Sequence, residues 1–182
     1  MINVYAQIFG AGAVICMFLS YLKTTKKKYL FMQIVCNIFF TIQFFLVGGL
    51  SASGVCLITI VKSFAFYSYE RKDKDIPLWL LILFEAITIA WGIYIFTDLN
   101  SILPIIVSIV YTYGTWQKNL KLTYLIGTFA AIVWIIYDFI VGAYVATIGS
   151  FSELVASLIG IYKLTMIKKE TKEVNEGNNI WF

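Results

Sequence analysis

The chain has 182 residues, 60% of them hydrophobic and 13% charged, with a mean hydropathy of +0.85 and a net charge of +4. A soluble domain cannot hide that much apolar surface, so lipid has to be the solvent for most of the protein. The lack of histidine removes the commonest neutral-pH proton shuttle and metal ligand, and with no nucleophile–base pair no reaction class is favoured. Non-enzymatic work is expected, with no cofactor and no metal.

Seven apolar segments can be drawn, at 4–22, 29–48, 52–69, 78–96, 102–117, 122–141 and 148–167. Each is near the length that crosses about 30 Å of hydrocarbon at about 1.5 Å per residue. The chain starts with Met1-Ile2-Asn3-Val4-Tyr5-Ala6, with no basic residue ahead of the first apolar run, so that run reads as a retained helix rather than a cleaved signal. Cys16, Cys36 and Cys56 each stand alone inside an apolar segment, as buried thiols do, and without the CxxC spacing of a metal site. Pro77 precedes the fourth segment and Pro104 falls in the first turn of the fifth, where a missing N–H costs little. After the seventh, 168–182 is polar and charged and reads as a solvated, disordered cytoplasmic tail.

The positive charge is not spread as a nucleic-acid partner would need. Lys23, Lys26, Lys27 and Lys28 follow the first segment, Arg71, Lys72 and Lys74 the third, and Lys118 and Lys121 the fifth; Lys163, Lys168, Lys169 and Lys172 close the seventh. With seven crossings, all of these fall on one side, and the opposite loops carry none. Positive charge stays inside, so the N-terminus is expected outside and the C-terminus in the cytoplasm of a multi-pass protein.

The stretch Phe44-Phe45-Leu46-Val47-Gly48-Gly49-Leu50-Ser51-Ala52-Ser53 is echoed by Asp138-Phe139-Ile140-Val141-Gly142-Ala143-Tyr144-Val145-Ala146-Thr147. At the same offset Ile38/Ile132, Ile42/Ile136, Val61/Val155, Ser63/Ser157 and Lys27/Lys121 also match. The reading is an all-α polytopic fold with a three-plus-one-plus-three layout: a first three-helix bundle at 1–69, a linker helix at 70–101, a second bundle at 102–167 and the tail. The single crossing restores chain direction, so the two bundles run parallel about an axis along the membrane normal.

Polar groups within the spans are the candidates for function. Lys62 sits near the middle of the third, where an ionisable group costs about 3 kcal/mol on insertion scales. Two readings stand: its stem lifts the amine to the headgroups, or it pairs with Glu153 of the seventh segment across the repeat interface. Glu85, about two turns into the fourth, needs a partner, a proton or water. Asp138 is either solvated at the outer boundary or part of a site. Gln33 and Asn37 share a helix face, and Gln43 points elsewhere; such amides either bond neighbouring helices or line a cavity. Trp134, Tyr137 and Asp138 stand at i, i+3 and i+4, as a ring-stacking group or as a helix–helix contact would.

Gln33-Ile34-Val35-Cys36-Asn37, Phe44–Ser53 and the following Lys62, with Ser150-Phe151-Ser152-Glu153-Leu154 ahead of Tyr162-Lys163, resemble the YgjV-type bacterial inner-membrane proteins. That resemblance implies a bacterial cytoplasmic membrane location and supplies no solute. The layout is also similar, in topology alone, to SWEET sugar carriers and PnuC vitamin transporters; the first segment lacks the proline with which SWEET-like proteins kink it. The expectation is a carrier or facilitator for a polar, ring-containing solute, held between the bundles by Asn37, Gln33, Lys62, Glu85, Trp134, Tyr137, Asp138 and Glu153. The alternative is a non-transporting structural or accessory protein of the inner membrane. A homo-oligomer stays open.

Overall fold

The computed structural model describes residues 4–46, 50–96, 102–140 and 144–178, with side chains except at 44, 50–52, 102, 104, 137–140, 144–146 and 171–178. Among them the chain is all-helical: α1 (Val4–Tyr21), α2 (Lys26–Leu46), α3 (Leu50–Arg71), α4 (Leu78–Tyr94), α5 (Ile102–Trp116), α6 (Leu120–Ile140) and α7 (Tyr144–Asn178). Each expected segment is one helix. The glycine turns of the sequence echo, at 47–49 and 141–143, lie outside the described residues.

Local chemistry sets the ends. The Asn119 side chain accepts from the Lys121 and Leu122 amides at 3.0 and 3.4 Å, the N-cap bond that starts α6. Pro77, extended at φ −68°, precedes α4. At the end of α3 the Lys74 amide donates to Tyr69 and the Asp73 amide to Glu70, at 3.1 and 3.3 Å, with Asp73 left-handed at φ 51°. These are the paired bonds of a Schellman ending, in which glycine is the usual left-handed residue. One expectation changes: α7 continues as helix through Asn178, where a disordered tail was expected. The extension contains no proline, whose ring and missing N–H would break a helix.

α2 packs between α1 and α3, and α6 between α5 and α7; α1 meets α7 and α3 touches α5, while α4 lies mainly against α5. The α1–α2, α3–α4 and α5–α6 connections meet at one end. There Tyr124 Oη donates to the Ser20 and Lys23 carbonyls at 3.1 and 2.6 Å, capping α1 from α6. Lys26 Nζ donates to the Gly114 carbonyl at 3.1 Å, closing α5 from α2 with a cation at the end that favours one. Trp116 Nε1 reaches the Ile76 carbonyl at 2.9 Å, and Lys118 pairs with Asp75. Lys163 Nζ reaches the Leu22 carbonyl at 3.3 Å. The basic clusters thus gather at one end of the bundle.

Burial follows the offset of the sequence echo. With Phe45 set against Phe139, Ala13/Val107, Tyr21/Thr115, Tyr29/Thr123, Cys36/Ala130, Lys62/Ala156 and Ser63/Ser157 are buried at both members. Leu19/Tyr113, Phe31/Leu125, Val61/Val155 and Phe64/Leu158 are exposed at both. The core holds polar groups beside its hydrophobic ones, and the surface is rich in apolar residues: Lys26, Gln33, Lys62, Thr112, Thr115 and Thr123 are buried with Leu30, Phe66 and Phe84, while Ile8, Phe45, Val61, Phe64, Ile93 and Phe151 are exposed. Cys36 and Cys56 are buried and Cys16 half-buried, all as free thiols. By length and composition Val4–Tyr21 and Thr147–Glu170 can cross a membrane, and Leu78–Tyr94, Ile105–Trp116 and Leu120–Ile136 are shorter apolar helices.

Candidate functional site

Where α1 and α2 approach α5, α6 and α7, three tyrosines pack ring to ring. Tyr21, Tyr29 and Tyr124 have centroids 5.1–5.7 Å apart, within the range of favourable edge and tilted aromatic contacts. All three are fully buried. Two glycines make the room. A Cβ on Gly127 would meet the Tyr21 ring and hydroxyl, and one on Gly160 would meet the Tyr21 carbonyl and, at 2.7 Å, the Tyr124 ring. Gly127 of α6 and Gly160 of α7 therefore leave the space that Tyr21 of α1 and Tyr124 of α6 fill.

Three hydroxyls from this region form a chain that ends on a carboxylate. Tyr21 Oη donates to Glu153 Oε1 at 2.7 Å, lies 3.4 Å from Tyr111 Oη, and Tyr111 Oη lies 2.7 Å from Tyr29 Oη. Each phenol has one proton. Tyr21 gives its own to Glu153, so it can only accept from Tyr111, and the arrangement in which every hydroxyl donates once runs Tyr29 to Tyr111 to Tyr21 to Glu153. Such chains polarise along their length, and the bond to the carboxylate is charge-assisted. Four helices contribute: α2, α5, α1 and α7.

Lys62 adjoins the same chain from α3. It is 5% exposed, its Nζ donates to Thr112 Oγ1 at 3.0 Å, and it lies 5.9 Å from the centre of the Tyr111 ring, a cation–π placement. Thr112 itself donates to the Ser108 carbonyl at 2.8 Å. The buried position removes the snorkelling reading for Lys62. The direct pair with Glu153 is also corrected: Glu153 accepts the Tyr21 hydrogen bond, and the opposite charge that acts on Lys62 is Glu85 of α4. Depth along the two helices permitted the pair, but helix rotation sets Tyr111 between the two groups. Glu85 is half-buried, with Oε2 shielded and lacking a hydrogen-bond partner among the described residues.

The remaining expected site residues divide. Gln33 is buried and its Nε2 donates to Ser20 Oγ at 3.1 Å, while Ser20 Oγ donates to the Met17 carbonyl at 2.7 Å. Asn37 directs its amide to the Gln33 carbonyl one turn back, at 2.8 Å, a bond within its own helix. Trp134 is half-buried on α6. Tyr137 and Asp138 belong to α6, but their side chains lie outside the described residues. Lys62 and Glu153 thus approach one polar region, joined by Tyr21, Tyr29, Tyr111 and Thr112, which the sequence did not single out; Gln33 is tied to Ser20 instead, and Glu85 acts on the region through its charge alone. The available signal was Tyr21 at the end of an apolar run opposite Gly127 and Gly160, residues small enough to admit a ring. No group of His, Cys, Asp or Glu able to hold a metal occurs among the described residues.

The arrangement links hydroxyls of α1, α2 and α5 to a carboxylate of α7, a path along which a proton can pass. Residues 4–168 match the family model for Imp-YgjV, a bacterial inner membrane protein. No curated protein and no solved structure matches the chain.

Proposed function

The chain belongs to the Imp-YgjV family of bacterial inner membrane proteins, and we propose that it is a multi-pass carrier or facilitator for a small polar solute. The solute, ring-bearing in the reading that uses the aromatic groups, sits between two parallel three-helix units, α1–α3 and α5–α7. The observation that carries this is the buried chain Tyr29–Tyr111–Tyr21–Glu153, flanked by Lys62, because its members come from both units. Polar groups inside a lipid-solvated bundle are costly and mark pathways more often than packing sites. The repeat is supported by burial at the offset of the sequence echo, and by helix neighbours that exchange correctly: α1 with α7 becomes α5 with α3. Seven crossings are supported by the exposed apolar girdle, and an outer N-terminus by the basic end, which the positive-inside rule assigns to the cytoplasm.

Glu153 or Glu85 is the group to take a coupling proton in this reading. The competing reading, a non-transporting scaffold with no enzymatic role, draws on the fact that Gln33, Asn37 and Glu153 all have partners within the protein. A thermal-shift screen of the purified chain with vitamins, nucleosides and sugars, followed by uptake into proteoliposomes, separates the two. A carrier takes up a hit, faster under an inward proton gradient, and Glu153→Gln stops it. Intact phenotype in the double variant Lys62→Met with Glu153→Met, with no uptake of any hit, supports the scaffold instead.

A further inference from the structure

A cleft of about 780 Å³ opens at the basic end between the α1–α2 connection and the last turns of α3. Lys23, Lys26, Lys27 and Lys28 line it, with Glu70 and Asp73 opposite and Phe31, Met32 and Tyr67 as its apolar part. Lys26 is turned away: its Nζ donates to Thr123 Oγ1 at 2.6 Å and to the Gly114 carbonyl, leaving Lys23, Lys27 and Lys28 as the cations that can serve a ligand. The first turn of α2 holds Lys26, Lys27 and Lys28 and no acidic residue. That is the unfavourable sign for a helix N-terminus, whose dipole is positive there. An anion in the cleft would offset both the dipole and the mutual repulsion of the lysines.

The apolar part of the cleft narrows the ligand. Phe31 and Tyr67 are in ring contact at 6.0 Å, and Phe31 is half exposed. Farther along the same two helices Ile38, Val61 and Phe64 are exposed to the surroundings, apolar surface that a hydrocarbon chain can use and a free anion cannot. We infer that this cleft binds the phosphodiester headgroup of an anionic phospholipid, with Lys23, Lys27 and Lys28 on the phosphate and an acyl chain along Phe31 and Phe64. Glu70 and Asp73 on the opposite wall work against small, highly charged anions entering alone. The lysines left for a ligand, Lys23, Lys27 and Lys28, are not the one that lies over Tyr29 of the tyrosine chain, and the proposal does not depend on what the protein carries.

The test is the apparent affinity of the purified full chain for phosphatidylglycerol, read by native mass spectrometry and by thermal shift, against phosphatidylcholine and against inorganic phosphate. Binding is expected for phosphatidylglycerol and not for the other two. A lysine near the membrane surface is worth about fivefold, so Lys23→Gln with Lys27→Gln and Lys28→Gln should weaken binding about a hundredfold. The charge-matched control Lys121→Gln, Lys168→Gln, Lys169→Gln should keep it. Should the triple variant fold poorly, Lys27→Glu alone, at an exposed position, has to weaken phosphatidylglycerol binding by the same route. Equal stabilisation by phosphatidylcholine, equal stabilisation by inorganic phosphate, or equal loss in the control would each overturn the assignment.

Discussion

Replacing Tyr21 by phenylalanine removes one oxygen from the middle of the hydroxyl chain and leaves the ring against Tyr29 and Tyr124. Two contacts go: the 2.7 Å bond to Glu153 and the 3.4 Å contact to Tyr111. A hydrogen bond to a charged group is worth about 1.5–3 kcal/mol, and a long neutral one little, so Tyr21→Phe should cost about 2–3 kcal/mol. Tyr29→Phe, at the end of the chain, should cost about 1 kcal/mol. The decisive quantity is the coupling between Tyr21→Phe and Glu153→Met, measured as unfolding free energy in mixed micelles at increasing SDS. Because each single change removes the same bond, the double variant should fall short of the sum by about 1.5–2 kcal/mol. The cycle Lys62→Met with Glu153→Met should show coupling under about 0.5 kcal/mol, since these groups do not touch. Additivity in the first cycle, or strong coupling in the second, would mean that the tyrosine does not stand between the charges as described.

Three further outcomes are expected. Gly160→Ala should destabilise more than Gly127→Ala, because its new methyl meets the Tyr21 backbone carbonyl, whereas at Gly127 it meets the tip of a side chain; overpacking of this kind costs about 1–3 kcal/mol, readable in the same SDS titration. Asp73→Gly should raise stability by roughly 1 kcal/mol by relieving a left-handed residue at φ 51°; no change in midpoint would count against strain at that turn. Lys62→Met should destabilise, because it leaves the half-buried Glu85 carboxyl without the opposite charge that acts on it, and uptake should be lost. Retained uptake would remove Lys62 from the pathway.

The helices were legible because lipid imposes one simple demand on sequence, a run of apolar residues of fixed length with lysines at alternate ends. The span expected at 4–22 is Val4–Tyr21, and that at 78–96 is Leu78–Tyr94. The site was only half legible. Lys62, Glu85 and Glu153 stood out as charges in apolar segments, but their partners did not, because the rotation of one helix against another is not written in either. Tyr21 and Tyr124 looked like members of an aromatic-rich chain, and Gly127 and Gly160, which make room for them in the core, are not marked as their partners by anything in the sequence. Asn37 was singled out by its amide and uses it on its own helix. The helical extension of α7 was missed for a different reason: low hydrophobicity signals solvation, and a charged segment that contains no proline can be both solvated and helical.

Carrier action requires that Glu153 be reached from each side of the membrane in turn. With Cys16, Cys36 and Cys56 replaced by alanine and Glu153→Cys introduced, a small membrane-impermeant methanethiosulfonate can be applied to sealed vesicles of either orientation. Modification from both faces, at rates that change when a transported solute is added, is the result expected. Position 153 unreactive from both faces, while a cysteine at position 24 labels from the cytoplasmic face, would instead identify a closed structural core.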